Sequence, residues 1–198
     1  MFSGSLVALI TPFKSDGSLD LEKYRELIEW HIAEGTNGIV PCGTTGESVT
    51  LTHTEYESVI KTAIDQAKKR VPVIAGAGSN STAHAVELAE QCKAWGADAV
   101  LTIVPYYNKP MPEGMFQHFK AVDAVGIPMV LYNVPGRTGK NMPATTTLRC
   151  ARELKNAVAV KEASGDVGQI MEILAGHFAV LSGDDALTLP LIPMGVKG

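Results

Sequence analysis

The chain has 198 residues, of which 45% are hydrophobic and 19% are charged, and its formal net charge is −4. This length and composition predict a soluble globular protein with one sizeable core. No basic run argues for a nucleic-acid partner, and no apolar run approaches the ~18 residues of a membrane span. Residues 1–4 lack the cationic start of a signal peptide, and the three widely spaced cysteines indicate reduced thiols, so we expect a cytoplasmic protein.

Short apolar strands are predicted to alternate with amphipathic helices. The strands lie at 5–10, 38–40, 71–75, 99–103, 128–132, 157–161 and 179–181. The first helix follows an Asp20 cap and ends near Gly35, and the second opens with a capping box from Thr52 to Glu55. Pro190 predicts that the last helix is short or kinked. The later helices begin near residues that suit a helix start, namely Ser81, Pro112, Pro143, Asp166 and Asp184.

This alternation implies a parallel sheet, because parallel neighbours need a long crossover connection. An open doubly wound sheet and a closed barrel both remain possible at this point. The loops after helices are short and rich in glycine, whereas the loops after strands carry Thr, Ser, Asn, Tyr and Arg. In a β/α barrel the chemistry gathers at the carboxyl ends of the strands, where these polar loops would lie.

The strand at 157–161 ends on a lysine. Side-chain alternation places Ala157, Ala159 and Lys161 on one face and Val158 and Val160 on the other. Apolar walls lower a lysine pKa from its usual value of about 10.4, and a neutral amine can condense with a carbonyl to form a Schiff base. The alternative is a lysine that extends from a strand end into water, and this segment alone favours that interpretation.

Two loops could approach a ligand closely. In the segment 41–48, backbone amides and the hydroxyls of Thr44 and Thr45 could hold a carboxylate, although a tight turn before a helix is the alternative. A phosphate-binding loop is excluded, since no Gly-Lys-Ser/Thr follows. In the segment 76–81, Gly76 and Gly78 resemble part of a dinucleotide fingerprint, but Ser81 replaces the third glycine, so a structural turn is favoured.

Aromatic and charged residues follow the fourth, fifth and seventh strands. Tyr106 and Tyr107 could pack at a subunit contact or relay a proton. Tyr132 ends the strand beside the one that carries Lys161, and adjacent strands lie ~4.8 Å apart, so phenol and amine could meet. Arg137 offers a planar fork for a carboxylate, the alternative being a solvated side chain. The adjacent acids at 184–185 are better explained by a helix N-terminus than by metal binding.

Five motifs occur together in a characteristic order: Gly-Thr-Thr-Gly-Glu-Ser at 43–48, Pro-Tyr-Tyr-Asn at 105–108, Tyr-Asn-Val-Pro-Gly-Arg-Thr at 132–138, Val-Lys-Glu-Ala-Ser-Gly at 160–165 and Ser-Gly-Asp-Asp at 182–185. Jointly they resemble the dihydrodipicolinate synthase family over the whole chain. The resemblance implies a TIM (β/α)8 barrel. Residues 1–198 would then be a single domain with about seven of the eight βα units, incomplete at the C-terminus.

The resemblance also implies a reaction. The family condenses pyruvate with L-aspartate 4-semialdehyde to 4-hydroxy-tetrahydrodipicolinate, on the route to lysine and diaminopimelate. Lys161 would form the Schiff base with pyruvate, and Tyr132 would donate and accept protons. Thr44 would link Tyr132 to Tyr107, which in the family reaches in from a neighbouring subunit of a homotetramer built as a dimer of dimers. No cofactor is implied, because the protein itself supplies the amine.

Further positions follow from the same resemblance. Thr45 would hold the pyruvate carboxylate, Arg137 the carboxylate of the semialdehyde, and Gly183 would also contact substrate. Lysine-sensitive members commonly have His and Glu where this chain has Tyr56 and His84, so we expect weak feedback inhibition by lysine. The matching allosteric positions are Ser48, Val49, His53, Tyr56, Asn80, His84 and Tyr106.

The sequence leaves two alternatives to this function. A sister pyruvate aldolase such as N-acetylneuraminate lyase shares the lysine and the tyrosine, but Thr44 and Arg137 favour the synthase. An inactive fragment or paralogue that only binds a keto acid or a partner subunit is the second. We also expect that residues 1–198 do not close a barrel, that the first and seventh strands keep open edges, and that the chain by itself is not a competent enzyme.

Overall fold

The computed structural model describes residues 2–198, in which strands and helices alternate. The strands are β1 (Leu6–Ala8), β2 (Gly38–Val40), β3 (Ile74–Gly76), β4 (Ala99–Ile103), β5 (Met129–Asn133), β6 (Ala157–Glu162) and β7 (Val180–Ser182). The helices are α1 (Leu21–Ala33), α2 (His53–Ala67), α3 (Thr82–Trp95), α4 (Pro112–Asp123), α5 (Pro135–Thr138), α6 (Ala144–Glu153), α7 (Val167–Ala175) and α8 (Asp185–Leu191). Short 3-10 segments lie at Ser48–Thr50 and Ile192–Met194.

The strands are parallel and follow one another in sequence order. β1 pairs with β2, and β3 to β7 form a second sheet in the order β3-β4-β5-β6-β7. A parallel bridge between Ile39 and Val73 joins the two sheets. A doubly wound sheet reverses its strand order at a switch point, whereas a barrel runs in sequence order around its axis. The order observed here is therefore that of a TIM barrel.

Local sequence signals place most helix starts correctly. The Asp20 carboxylate accepts the Lys23 amide, and Thr52 and Glu55 form the predicted capping box. The helix predicted to start at Pro143 begins one residue later, at Ala144. The first strand is shorter than the predicted segment 5–10 because only Leu6–Ala8 pair regularly with β2.

Two apolar layers lie on either side of the strands. The inner layer faces the barrel axis, and the larger outer layer lies between the strands and the helices. The inner layer contains, among others, Val40, Ile74, Leu101, Val130, Ala159 and Leu181. Alternate residues of each strand thus point to opposite layers, as the period of two requires.

One predicted face is wrong at the start of β6. Met129 pairs with Ala157 but Val130 pairs with Ala159, so Val158 is an extra residue in the register. This irregularity resets the alternation: Ala157 packs against the outer layer and Val158 against the inner layer. From Ala159 onward the prediction is confirmed, with Ala159 inside and Val160 outside.

Residues 197–198 partly bridge the gap between β7 and the start of the chain. The Lys197 amide donates to the Val180 carbonyl at 2.8 Å, and the Lys197 carbonyl accepts the Gly4 amide at 2.7 Å. The Ser182 amide donates to the Gly198 carbonyl at 2.6 Å. Residues 197–198 therefore pair with β7 and reach Gly4, which precedes β1. The expectation of an unpaired edge is wrong for β7, whereas Leu6–Ala8 pair only with β2 within residues 2–198.

Candidate active site

Lys161 and Tyr132 lie side by side at the carboxyl ends of β6 and β5. The two residues are paired in the strand register, and the Lys161 Nζ lies 4.7 Å from the centroid of the Tyr132 ring. Both side chains point to the inner side of the sheet, where Tyr132 is buried with the apolar residues of the axis. The predicted proximity of phenol and amine is confirmed.

The surroundings of Lys161 favour a reactive amine. Burial lowers the pKa of Lys161 below its ordinary value, and the nearby Asp185 carboxylate opposes that shift. Lys161, Gly183 and Asp185 line one cavity of about 420 Å³ inside the barrel. A Cβ on Gly183 would lie 3.0 Å from the Lys161 Cε, so the glycine leaves room for the amine to turn. The pKa of Lys161 is therefore lowered, as the sequence predicted for a lysine with apolar walls.

A second cavity, of about 260 Å³, adjoins the lysine–tyrosine pair. Thr44, Tyr106, Tyr132 and Arg137 line it, and Leu101 lines both this cavity and the one that contains Lys161. Its walls combine hydroxyls and a guanidinium with apolar side chains. That combination suits a small carboxylate-bearing substrate.

The loop after β2 depends on close backbone packing. Cys42 and Glu47 adopt positive φ angles of 51° and 58°, and a Cβ on Gly76 would overlap the Cys42 carbonyl. Gly76 is thus a close-approach glycine, which agrees with the structural interpretation of the segment 76–81. The loop turns Thr44 toward the cavity and leaves Thr45 exposed.

Two predicted site residues lie farther out. Tyr107 is 89% exposed and has a φ of 70°, so within this one chain it does not enter the cavity. Arg137 lies on α5, a one-turn helix where the sequence predicted only a Pro-Gly turn, and it is exposed although it lines the cavity rim.

Most of the predicted allosteric residues share a third cavity of about 180 Å³. Asn80 is outside its lining, and the Asn80 carbonyl accepts the Asn108 side-chain amide at 3.0 Å. Tyr56 is buried, and its hydroxyl donates to the Gly76 carbonyl at 2.8 Å. The lining residues among the predicted set are Ser48, Val49, His53, Tyr56, His84 and Tyr106.

Sequence reasoning missed a buried polar network directly behind the pair. Glu162 and Asn133 follow Lys161 and Tyr132 on their strands and are 1% and 0% exposed. They are hydrogen-bonded to each other and to Gln169 and Asn141. The available signal was a carboxylate and an amide at positions whose alternation points them toward the helices.

No helix in residues 2–198 combines the length and apolar character needed to cross a bilayer.

Cys42, Cys92 and Cys150 are buried free thiols, and burial raises the pKa of each.

The fold places this protein in the TIM-barrel class of enzymes, with Lys161 and Tyr132 at the carboxyl ends of neighbouring strands. The dihydrodipicolinate synthetase family matches residues 1–198. The chain belongs to this family, and its relatives are lyases.

The similarity extends over the whole chain in sequence and in structure. The 4-hydroxy-tetrahydrodipicolinate synthase of Syntrophotalea carbinolica is 56% identical over 202 aligned residues, which are 100% of this chain and 69% of the relative. The crystal structure of the chloride-inhibited dihydrodipicolinate synthase from Acinetobacter baumannii complexed with pyruvate has a TM-score of 0.97 and 47% identity, covering 100% of this chain and 69% of that chain. The enzyme from Cyanidioschyzon merolae with lysine bound has a TM-score of 0.96 and 43% identity, covering 100% and 68%.

Proposed function

We propose that this site condenses pyruvate with L-aspartate 4-semialdehyde to give 4-hydroxy-tetrahydrodipicolinate, in the biosynthesis of lysine and diaminopimelate. The observation that carries the proposal is the buried Lys161 amine, whose pKa is lowered by burial and whose Nζ lies 4.7 Å from the Tyr132 ring. Membership of the family and the pyruvate complex of the Acinetobacter baumannii relative support the choice of substrate.

In the proposed mechanism the neutral Lys161 amine attacks the keto carbon of pyruvate. The carbinolamine loses water to give a protonated Schiff base, and loss of a methyl proton then gives an enamine. The enamine carbon attacks the aldehyde carbon of the semialdehyde, whose oxygen takes up a proton. The amino group of the semialdehyde then attacks the imine carbon and displaces the Lys161 amine, which closes the six-membered ring and frees the enzyme. Tyr132 passes the protons in the carbinolamine steps, and no cofactor is needed because the imine itself withdraws the electrons.

The substrate carboxylates need partners at both cavities. In the proposal Thr45 holds the pyruvate carboxylate, and Gly183 contacts the substrate from the lysine cavity. Thr44, which lines the adjoining cavity, links Tyr132 to Tyr107 in a proton relay. Arg137, at the rim, binds the semialdehyde carboxylate through its planar fork. Because Thr45 is exposed, it can hold the pyruvate carboxylate only when the loop closes over bound pyruvate.

We propose further that a neighbouring copy completes the proton relay. Tyr107 is held at a positive φ with 89% of its surface exposed, an orientation that suits insertion into a partner's site rather than its own. A homotetramer built as a dimer of dimers in the cytoplasm is the assembly that the family resemblance implies. The sister-aldolase alternative gains no support from the relatives, which are named 4-hydroxy-tetrahydrodipicolinate synthase.

Borohydride trapping tests the proposal directly. Incubation with pyruvate and borohydride reduces the Schiff base to a stable secondary amine, and we expect the added mass on Lys161 alone. Lys161→Met, which retains the length of the side chain, abolishes the adduct, whereas Lys155→Met, at an exposed position on the loop before β6, retains it. An adduct on another lysine, or none on the unaltered chain, would contradict the proposed function.

A further inference from the structure

Glu162 is a buried carboxylate that the proposed mechanism does not use. It is 1% exposed and follows Lys161 on β6, so its side chain points away from the barrel axis. Its hydrogen bonds come from neutral donors: Asn133 Nδ2 lies 3.1 and 3.0 Å from its two oxygens, Gln169 Nε2 lies at 3.0 Å and the Ser164 amide at 2.8 Å. Within residues 2–198 it has no ion-pair partner.

A buried carboxylate without a cation is costly unless its oxygens are well satisfied. Each Glu162 oxygen accepts two hydrogen bonds, which compensates much of the lost hydration. An apolar residue at this position of the outer layer would pack more simply. The presence of a carboxylate here therefore indicates that the positions of the groups around Glu162 must be fixed.

Asn133 ties the carboxylate to the neighbouring strand and loop. It is 0% exposed, and its Oδ1 accepts the Met142 amide at 2.9 Å. Its Nδ2 also donates to Asn141 Oδ1 at 2.8 Å, and its carbonyl accepts the Ala163 amide at 2.8 Å. One side chain thus joins the end of β5, the end of β6 and the start of the segment before α6.

These contacts lie on the outer side of the sheet, directly behind Lys161 and Tyr132. Tyr132 and Lys161 each precede a member of the network by one residue and point to the opposite side of the sheet. The segment that carries Arg137 starts after Asn133 and ends before Asn141, so both of its ends are held by the same network. The Glu162 carbonyl also accepts the Gly183 amide at 2.8 Å, which links the network to the lysine cavity.

We propose that Glu162, with Asn133 and Gln169, is a positioning residue that fixes the Lys161 amine, the Tyr132 phenol and the Arg137 segment relative to one another. The inference rests on the proposed function, because the geometry it fixes is that of Schiff-base formation. It predicts a defect in reaction rate that is separable from a general loss of folding.

Glu162→Gln is the sharpest single substitution. It retains the size of the side chain but replaces one acceptor oxygen by an NH2 donor. Since both oxygens face donors, either orientation of the new amide directs one donor at another. Glu172→Gln, at an exposed position on α7, is the matched control.

A charge swap provides the readout that a purely structural role would not give. In the double variant Glu162→Gln with Gln169→Glu, the network again holds one carboxylate, and the new side-chain amide on β6 donates to it. Asn141 Nδ2, which now donates to the Gln169 oxygen at 2.8 Å, retains an acceptor. We expect this double variant to recover most of the lost rate.

The experiment measures the rate of pyruvate adduct formation on Lys161 under borohydride, as a function of pyruvate concentration. Glu162→Gln should lower the rate at saturating pyruvate roughly 10- to 100-fold, the cost of small misplacements of reacting groups. The half-saturating pyruvate concentration should change far less, and Glu172→Gln should behave like the unaltered chain. A rate for Glu162→Gln within twofold of the control, or no recovery in the double variant, would overturn the inference.

Hydrogen–deuterium exchange gives a second measurement that does not depend on pyruvate chemistry. We expect Glu162→Gln to raise exchange at residues 132–142 and 161–169 by roughly tenfold, while exchange in α1 and α2 stays unchanged. A uniform rise in exchange across the whole chain, or no rise at these two segments, would contradict the positioning role. If the unaltered chain forms no adduct but Glu162→Gln still raises exchange at these two segments alone, the result would contradict the proposed function and not the positioning network.

Discussion

At the scale of single residues, the hydroxyl of Tyr132 offers the most direct test of proton transfer. Tyr132→Phe retains the buried ring beside Lys161 and removes only the donor and acceptor. We expect the rate of adduct formation on Lys161 to fall roughly 10²- to 10⁴-fold, the usual contribution of one general acid–base group. The measurement is the trapping rate with pyruvate, alongside a melting curve.

Tyr24→Phe is the matched control for that substitution. Tyr24 is 1% exposed, and its hydroxyl has no hydrogen-bond partner among the described residues. Removing this hydroxyl should leave both the rate and the melting temperature nearly unchanged. Equal rates for the Tyr132 and Tyr24 variants would remove Tyr132 from the mechanism.

At the scale of elements, a histidine between α3 and α4 makes stability depend on pH. His118 is 2% exposed, its Nδ1 lies 2.9 Å from Thr82 Oγ1, and burial lowers its pKa from 6.5 to about 4. The unfolded chain therefore binds a proton that the folded chain excludes between these values. The contribution of His118 to the free energy of unfolding is complete above pH ~6.5 and is lost as the pH falls through ~4, a total of roughly 3.5 kcal/mol at ~1.4 kcal/mol per pH unit over ~2.5 units.

Urea unfolding between pH 4 and pH 7 measures this effect. His118→Gln should flatten the pH dependence, because no imidazole remains to be protonated on unfolding. His177→Gln, at an exposed position after α7, should leave it as it is. The same loss of stability in both variants would show that His118 is not the responsible group.

The cavity between the β2 loop and α3 tests the expected insensitivity to lysine. It is lined by Ser48, His53, Tyr56 and His84, and no Asp or Glu stands among its lining residues. The His84 ring is paired with Glu87 at 3.1 Å, and both are exposed, so water screens that carboxylate. An ammonium group in the cavity thus has no buried anion to bind.

Calorimetry with free lysine measures the affinity. We expect no binding at submillimolar concentrations by the unaltered chain, and tighter binding by His84→Glu, which supplies the missing carboxylate. Ala83→Glu on the same helix start, at an exposed position outside the cavity lining, is the control. Submillimolar binding by the unaltered chain would refute the argument from charge.

At the scale of the whole molecule, the barrel is held between β1 and β7 by a few contacts. Within residues 2–198, β1 pairs as a strand only with β2, and residues 197–198 are hydrogen-bonded to β7 and to Gly4, which precedes β1. The cavity of about 420 Å³ that contains Lys161 opens beside these residues. Leu189 and Ile192, next to it, are 77% and 50% exposed. The Lys161 cavity is therefore bordered on this side by exposed apolar residues.

We expect Leu189→Glu to raise the solubility of the chain without changing the rate of pyruvate trapping on Lys161, because Leu189 is exposed and is not among the residues that line the cavity. Solubility measurements and the borohydride assay check this. A trapping rate that falls more than twofold would show that Leu189 contributes to the site.

The sequence by itself determined the parts of this protein that depend on neighbours along the chain. Helix caps such as Asp20 and Thr52 act within one turn, and the alternation of strands and helices follows from local hydrophobic periods. The pairing of Tyr132 with Lys161 was also predictable, since consecutive parallel strands are neighbours in a barrel. The motifs then indicated the family.

Tertiary structure alone decided the features that depend on pairing between distant segments. The extra residue at Val158 arises from register with β5, and no local pattern encodes register across a crossover helix. The burial of Glu162 is possible only because Asn133 and Gln169 come from other elements to satisfy its oxygens. The contact of Lys197 with Gly4 likewise exists only once the strands have curved round the barrel axis, since these two residues lie nearly a whole chain apart.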